Sequence, residues 1–292
     1  MSGEDGKQHR IGLALVAASA LFWSLSGFFT RAISADLMTM LFWGGLFSGA
    51  MVILVFFLME RRNAIPILKS LGLSSLGVTF FSAMGLIAGI GAFRYTTIAE
   101  AMVIYATVPF VTAGTAWLFL RERSSYATLV ASAVALTGVV IMLVGSDWGG
   151  SLLGKALAVV MTLCMALLTT IIRSEQSVPM LPAMGASSWL SAAICFFWAH
   201  PMEISQRDFW LCVLFGTVQN AMGLVLYTLG SRRIPASEAT LIAALEVPLT
   251  PFWVWLIFSE TPSIWTLVGG TIVFAALLGY MLREFRRPRA RV

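Results

Sequence analysis

AMGLIAGIGAFRYTTIAEAMVIYATVPFVTAGTAWLFLRE, residues 83–122, and AMGLVLYTLGSRRIPASEATLIAALEVPLTPFWVWLIFSE, residues 221–260, are two versions of one stretch. Both open on Ala-Met-Gly-Leu and reach Arg94 or Arg232 after seven residues. Five more residues lead to Glu100-Ala101 or Glu238-Ala239, and another twenty to Glu122 or Glu260. The offset is 138 with no gap. Thr79 and Thr217 extend the match upstream, and Thr128–Val130 and Thr266–Val268 extend it downstream. Further back, Gly12-Leu13-Ala14-Leu15 with Arg31 matches Gly154-Lys155-Ala156-Leu157 with Arg173, at an offset of 142. Self-similarity at a fixed offset marks a fold assembled from copies of one unit.

The unit is a bundle of apolar segments. The chain has 292 residues, 59% hydrophobic and 11% charged, with a mean hydropathy of +0.87. A soluble domain carries about a quarter charged residues, so the composition is that of a polytopic membrane protein. Ten segments are long enough to cross roughly 30 Å of hydrocarbon. They are Ile11–Thr30, Leu37–Met59, Leu71–Phe93, Tyr95–Leu120 and Tyr126–Val144, then Leu152–Ile172, Met180–Ala199, Phe209–Gly230, Ile234–Phe258 and Ile264–Leu282. The first resembles a signal peptide, but it has a counterpart in the second copy and is read as a retained helix.

The expected fold is therefore all-α, with ten transmembrane helices in two five-helix repeats. Residues 1–10 form a tail, 11–146 the first repeat, 147–151 a linker, 152–282 the second repeat and 283–292 a basic tail. An odd number of spans per copy makes the second copy enter the membrane from the opposite side, the inverted-repeat plan of many secondary transporters. Fifteen of the 19 Lys and Arg residues fall on the side of the termini and four on the other. The positive-inside rule places both termini in the cytoplasm and the linker in the periplasm. The pI of about 9.4 follows from 19 Lys and Arg against 14 Asp and Glu, and basic cytoplasmic loops and ends near anionic lipid account for the excess without nucleic acid.

The ninth span holds Glu246, followed by Pro248 and Pro251. A carboxylate at mid-membrane is costly unless paired, protonated or facing water, and each proline removes a backbone hydrogen bond. A broken helix carrying such a charge is expected to line a cavity. The first copy has Pro109 but no acid. Other polar residues inside spans are candidates for the same wall. Trp23 and Ser26 share a face of the first span with Ser19 and Thr30; Thr79 and Ser82 lie on the third, and Tyr105 and Thr162 on the fourth and sixth. Gln219, Asn220 and Tyr227 lie on the eighth, and Glu246 and Thr250 on the ninth. The cavity is expected between spans 1, 3, 4, 6, 8 and 9. No Lys or Arg lies mid-span, which disfavours phosphorylated substrates and favours neutral, zwitterionic or cationic ones. Burial of Glu246 opens a route to proton coupling.

Several features carry structural readings. Glu100 follows Thr97 at capping-box spacing, Glu238 follows Pro235, Glu122 lies between two arginines, and Glu260 precedes Thr261-Pro262; all four are read as helix-end markers. Gly45/Gly49 and Gly85/Gly89 are small-xxx-small pairs expected at close crossings. Cys164, Cys195 and Cys212 lie in or beside apolar segments, and with His9 and His200 they suggest neither a disulfide framework nor a metal site. No cofactor is expected, and the chain is read as a monomer whose partners are a small-molecule substrate and membrane lipid.

Leu21-Phe22-Trp23-Ser24 followed by Arg31, with Glu122 and Glu260 closing the fourth and ninth spans, resembles the EamA-type drug/metabolite transporter superfamily. Within it, the YddG-like amino-acid exporters are similar. The resemblance implies a multi-pass carrier of the bacterial inner membrane that exports amino acids or related metabolites by alternating access. That family commonly has Glu-Pro fourteen residues before the closing Glu; here Glu246 is followed by Val247, with the proline at Pro248. Competing readings are an exporter of cationic drugs or other metabolites, an intramembrane enzyme and a channel subunit. An enzyme would need a nucleophile–base pair or metal ligands at depth.

Overall fold

A computed structural model describes residues 2–143, 151–175, 178–258 and 264–286. The described residues contain helices and no strands. Helices α1 (Ser2–Trp23), α2 (Ser26–Ala32), α3 (Leu37–Glu60), α4 (Ala64–Ser70), α5 (Leu73–Tyr95), α6 (Ile98–Tyr105), α7 (Val108–Leu120) and α8 (Tyr126–Leu143) form the first half. The second half holds α9 (Leu152–Ser174), α10 (Leu181–Phe196), α11 (Gln206–Leu214), α12 (Met222–Ser231), α13 (Ala236–Ala243), α14 (Glu246–Phe258) and α15 (Ile264–Arg286). A π-helical segment, Phe215–Ala221, joins α11 to α12.

Eight helical stretches are long and apolar enough to cross a membrane. The other two expected spans, Tyr126–Met142 and Leu181–Phe196, are shorter apolar helices. At 1.5 Å per residue they reach about 24–26 Å, just under the hydrocarbon thickness. The seventh is shorter than its expected range because Pro182 sits in its first turn and the chain turns at Phe197-Trp198. Tyr95, expected to open the fourth span, is instead the last residue of α5. The linker falls almost wholly, and Glu260 wholly, outside the described residues.

Three spans are each split into two half-helices. The fourth breaks at Ala106-Thr107 and the ninth at Ala244-Leu245. Pro109 and Pro248 then fall in the first turns of α7 and α14, where a missing N–H costs no intrahelical bond. Val108 and Glu246 are repeat equivalents, and each starts its half-helix. The first span also breaks, at Ser24-Leu25, without a proline. There Ser24 Oγ donates to the Leu21 carbonyl and Thr30 Oγ1 to the Ser26 carbonyl, the local bonding that competes with a regular helix.

The two copies interlock. Helix α3 packs along its equivalent α10, and α8 along its equivalent α15. Gly45 lies against the Ser188 carbonyl, Gly49 against the Trp189 ring, and Gly185 against Ile53, so α3 and α10 run antiparallel. Thr128 and Tyr280 hydroxyls meet at 3.0 Å near one end of α8, while Gly138 touches the Gly269 carbonyl further along. That pair is antiparallel too. Equivalent helices that pack antiparallel require a twofold axis perpendicular to them, so the copies point in opposite directions. The same axis relates α5 on α9 to α12 on α1. Gly45 and Gly49 serve the close crossing expected of them. A Cβ at Gly85 would stand 3.4 Å from Cys164, a looser fit, because that glycine faces a cavity.

Candidate functional site

The breaks converge. Between the two copies lies a cavity with an empty volume of about 740 Å³, counting the part that opens to solvent. Trp23, Phe81, Phe93, Tyr105, Met161 and Met165 supply much of its apolar wall. Ser26, Ser82, Ser187, Ser188, Gln219 and Asn220 supply polar groups, and Glu246 is the one ionisable acid. No Lys, Arg or His is among the lining residues. Along α5 the lining runs from Phe81 to Phe93, toward the end opposite the chain termini.

Glu246 is 4% exposed and opens α14, where the amide dipoles favour negative charge. Tyr105, at the end of α6, lines the same cavity, so the break of one copy and the break of the other meet at this wall. On the opposite wall the π-helical turn carries Gln219 and Asn220. A π turn widens the helix by about one residue per turn and is frequent at functional sites; Gly216 lets it approach α3, since a Cβ there would run into the Gly44 carbonyl.

Asn220 Nδ2 donates to Ser48 Oγ at 3.0 Å, and Ser48 meets Ser188 at 3.1 Å. Ser187 donates to Ser82 at 2.8 Å. Gln219 Nε2 donates to the Trp23 carbonyl at 3.4 Å, which fixes the amide orientation, because that carbonyl can only accept. Its oxygen is left buried without a hydrogen-bond partner.

Of the residues proposed from sequence, Trp23, Ser26, Ser82, Tyr105, Gln219, Asn220 and Glu246 come together on this wall. Four do not line it. Thr79 donates to the Ala183 carbonyl, Thr162 to Ala158 and Thr250 to Glu246, each serving the backbone. Tyr227 lies behind the wall: its hydroxyl meets Thr169 at 2.6 Å, and its ring centroid is 5.0 Å from that of Trp23. It positions the indole. The expected set of spans omitted the seventh, yet α10 contributes Ser187 and Ser188. Two adjacent serines in an otherwise apolar segment were the available signal.

The helix-end acids do more than mark ends. Thr97 caps α6 by accepting from Glu100 N–H, but the Glu100 carboxylate turns to Lys155 at 3.2 Å and to Thr96. Glu122 binds Arg173 Nε at 3.1 Å and the Ala236 N–H at 3.1 Å. Arg173 also donates to the Arg232 carbonyl, and Ser124 to Ser237 at 2.9 Å. This network joins α7, α9 and α13 at the end nearest the termini.

A two-copy bundle of apolar helices around a central cavity with a buried acid defines a multi-pass membrane transporter, and comparison with known proteins agrees. The EamA-like transporter family matches twice, over residues 10–144 and 152–282, and the chain belongs to that family. It is 27% identical over 241 residues to a protein named riboflavin transporter from Rhizobium johnstonii, covering 77% of this chain and 78% of that one. It is 23% identical over 273 residues to an uncharacterized transporter from Archaeoglobus fulgidus, covering 92% and 96%. A solved chain described only as a crystal structure of a protein superposes with a TM-score of 0.73 at 16% identity, over 94% of this chain and 98% of that one. At that identity the likeness speaks for the fold.

Proposed function

We propose that the protein is a secondary carrier of the bacterial inner membrane that exports amino acids and related small metabolites by alternating access. Ten crossings, cytoplasmic termini and inverted repeats at 11–146 and 152–282 complete this reading; the 15-to-4 distribution of basic residues and the antiparallel packing of equivalent helices support it. One observation carries the substrate class: Glu246 faces a cavity without a basic residue in its lining. A substrate ammonium group would find its counterion there, while the aromatic and methionine wall would take an apolar side chain.

The test is purified protein in liposomes, offered labelled aromatic, aliphatic and cationic amino acids with and without a pH gradient. Glu246→Gln is expected to abolish flux at unchanged expression and monodispersity. Wild-type flux from that variant would sink the role. Stimulation of flux by the gradient, lost in the same variant, is the expected sign of proton coupling.

A second reading is favoured by the amides of Gln219 and Asn220 beside aromatic walls, which suit a neutral planar heterocycle, and by the name of the Rhizobium relative. Riboflavin belongs in the same panel. Flux of riboflavin but of no amine would select this reading.

A further inference from the structure

The two copies treat one matched carboxylate differently. Glu100 and Glu238 are repeat equivalents, each 3% exposed and each in the first turn of its half-helix. Glu100 is met by the ammonium of Lys155 on α9. Glu238 is met instead by His9 Nε2 at 3.0 Å on α1, the equivalent of α9. A lysine is a fixed charge, whereas an imidazole is also a good neutral metal ligand.

A second acid then closes on the pair. Ligand atoms of His9, Glu238 and Glu284, the last from α15, all lie within 4.8 Å of one another. The other Glu238 oxygen, Oε1, is buried without a hydrogen-bond partner. Lys7 and Arg10, which flank His9 in sequence, are exposed while His9 is buried. The Tyr280 hydroxyl meets Thr128.

We propose that His9, Glu238 and Glu284 form a binding site for a divalent transition-metal cation of the zinc class. Ligands bound at 2.0–2.2 Å from such an ion stand about 3–3.5 Å apart. The His9–Glu238 separation already falls in that range, and the half-buried Glu284 offers the third ligand atom within 4.8 Å. One imidazole and two carboxylates suit zinc or manganese, with zinc the tighter by ligand affinity order. The ion would pin α1, α13 and α15 together at the end bearing the termini, where the first copy has a covalently tethered cation at the opposite end.

The test uses the full chain in detergent, carrying a tag without histidines and stripped with EDTA. Zinc is titrated calorimetrically and thermal unfolding is followed with and without it. One zinc per chain and a raised melting temperature are expected. His9→Gln, Glu238→Gln and Glu284→Gln should each weaken binding at least tenfold, and His200→Gln should not. Absence of stoichiometric binding, or binding insensitive to all three substitutions, overturns the site. Should Glu238→Gln fail to fold, His9→Gln and Glu284→Gln decide the matter alone.

Discussion

Replacing Glu122 by Gln should loosen the end of the molecule that bears the termini. Its carboxylate joins Arg173 Nε and the first N–H of α13, with both contacts at 3.1 Å. Glutamine keeps an oxygen for the Ala236 N–H but loses the charge opposite Arg173. A charge-assisted hydrogen bond contributes about 1.5–3 kcal/mol when sheltered. Here the side chains are 21% and 23% exposed, so screening reduces this to roughly 1–2 kcal/mol. That is about a 5- to 30-fold shift between closed and open forms of this end. Spin labels at the exposed positions Arg123 and Arg10 would report it as a longer-distance population. Cys164, Cys195 and Cys212 are buried and would label slowly. Glu122→Gln with Arg173→Met should add little to either change alone. An unchanged distance distribution in Glu122→Gln would refute a latch at this end.

Three further outcomes follow. Gly45→Ala should lower the melting temperature in detergent by an overpacking cost of about 1–3 kcal/mol, because its Cβ would meet the Ser188 carbonyl at 2.6 Å; Gly114→Ala, with nothing within 4 Å, should not. Gln219→Leu removes an unpaired buried oxygen together with the hydrogen bond to the Trp23 carbonyl, so stability should stay within about 1 kcal/mol while substrate affinity falls; a marked loss of stability would assign Gln219 to packing. Burial pushes the Asp36 carboxyl up, but hydrogen bonds from Thr39 and Met38, with His200 nearby, prevail and hold it below its ordinary value. Its contribution as the cap of α3 is therefore present above the unfolded value of about 3.9 and is lost as pH falls through the lower folded value. Wild type and Asp36→Asn should melt in parallel from pH 5 to 8 and converge only below about pH 4.

The architecture was legible because duplication leaves a period in the sequence, and each copy's breaks were flagged where Pro109 and Pro248 stand. Glu246 stood out because hydrocarbon makes a lone acid conspicuous. The break at Ser24-Leu25 was not legible, since serine back-bonding is compatible with unbroken helix as well. Nor was the π turn at Phe215–Ala221, where no residue type demands the extra residue per turn and the packing of Gly216 on Gly44 decides it. Thr79, Thr162 and Thr250 share the helical spacing of cavity residues, but their hydroxyls find carbonyls nearer than the cavity. His9 gave no hint of Glu238, 229 residues away; only tertiary packing brings them together.

The crossing of α1 with α12 and of α9 with α5 also constrains how the molecule can be made. Gly12 packs against the Gly230 carbonyl, which is made more than two hundred residues later. Neither half contains the partners that bury its own outer helices, so neither half is a self-sufficient folding unit. The helices of the first copy must wait, α1 without α12 and α5 without α9, until the second copy has been made and lies beside them in the opposite orientation. Two half-chains expressed separately should each be degraded, and co-expressed should find each other as an antiparallel dimer would.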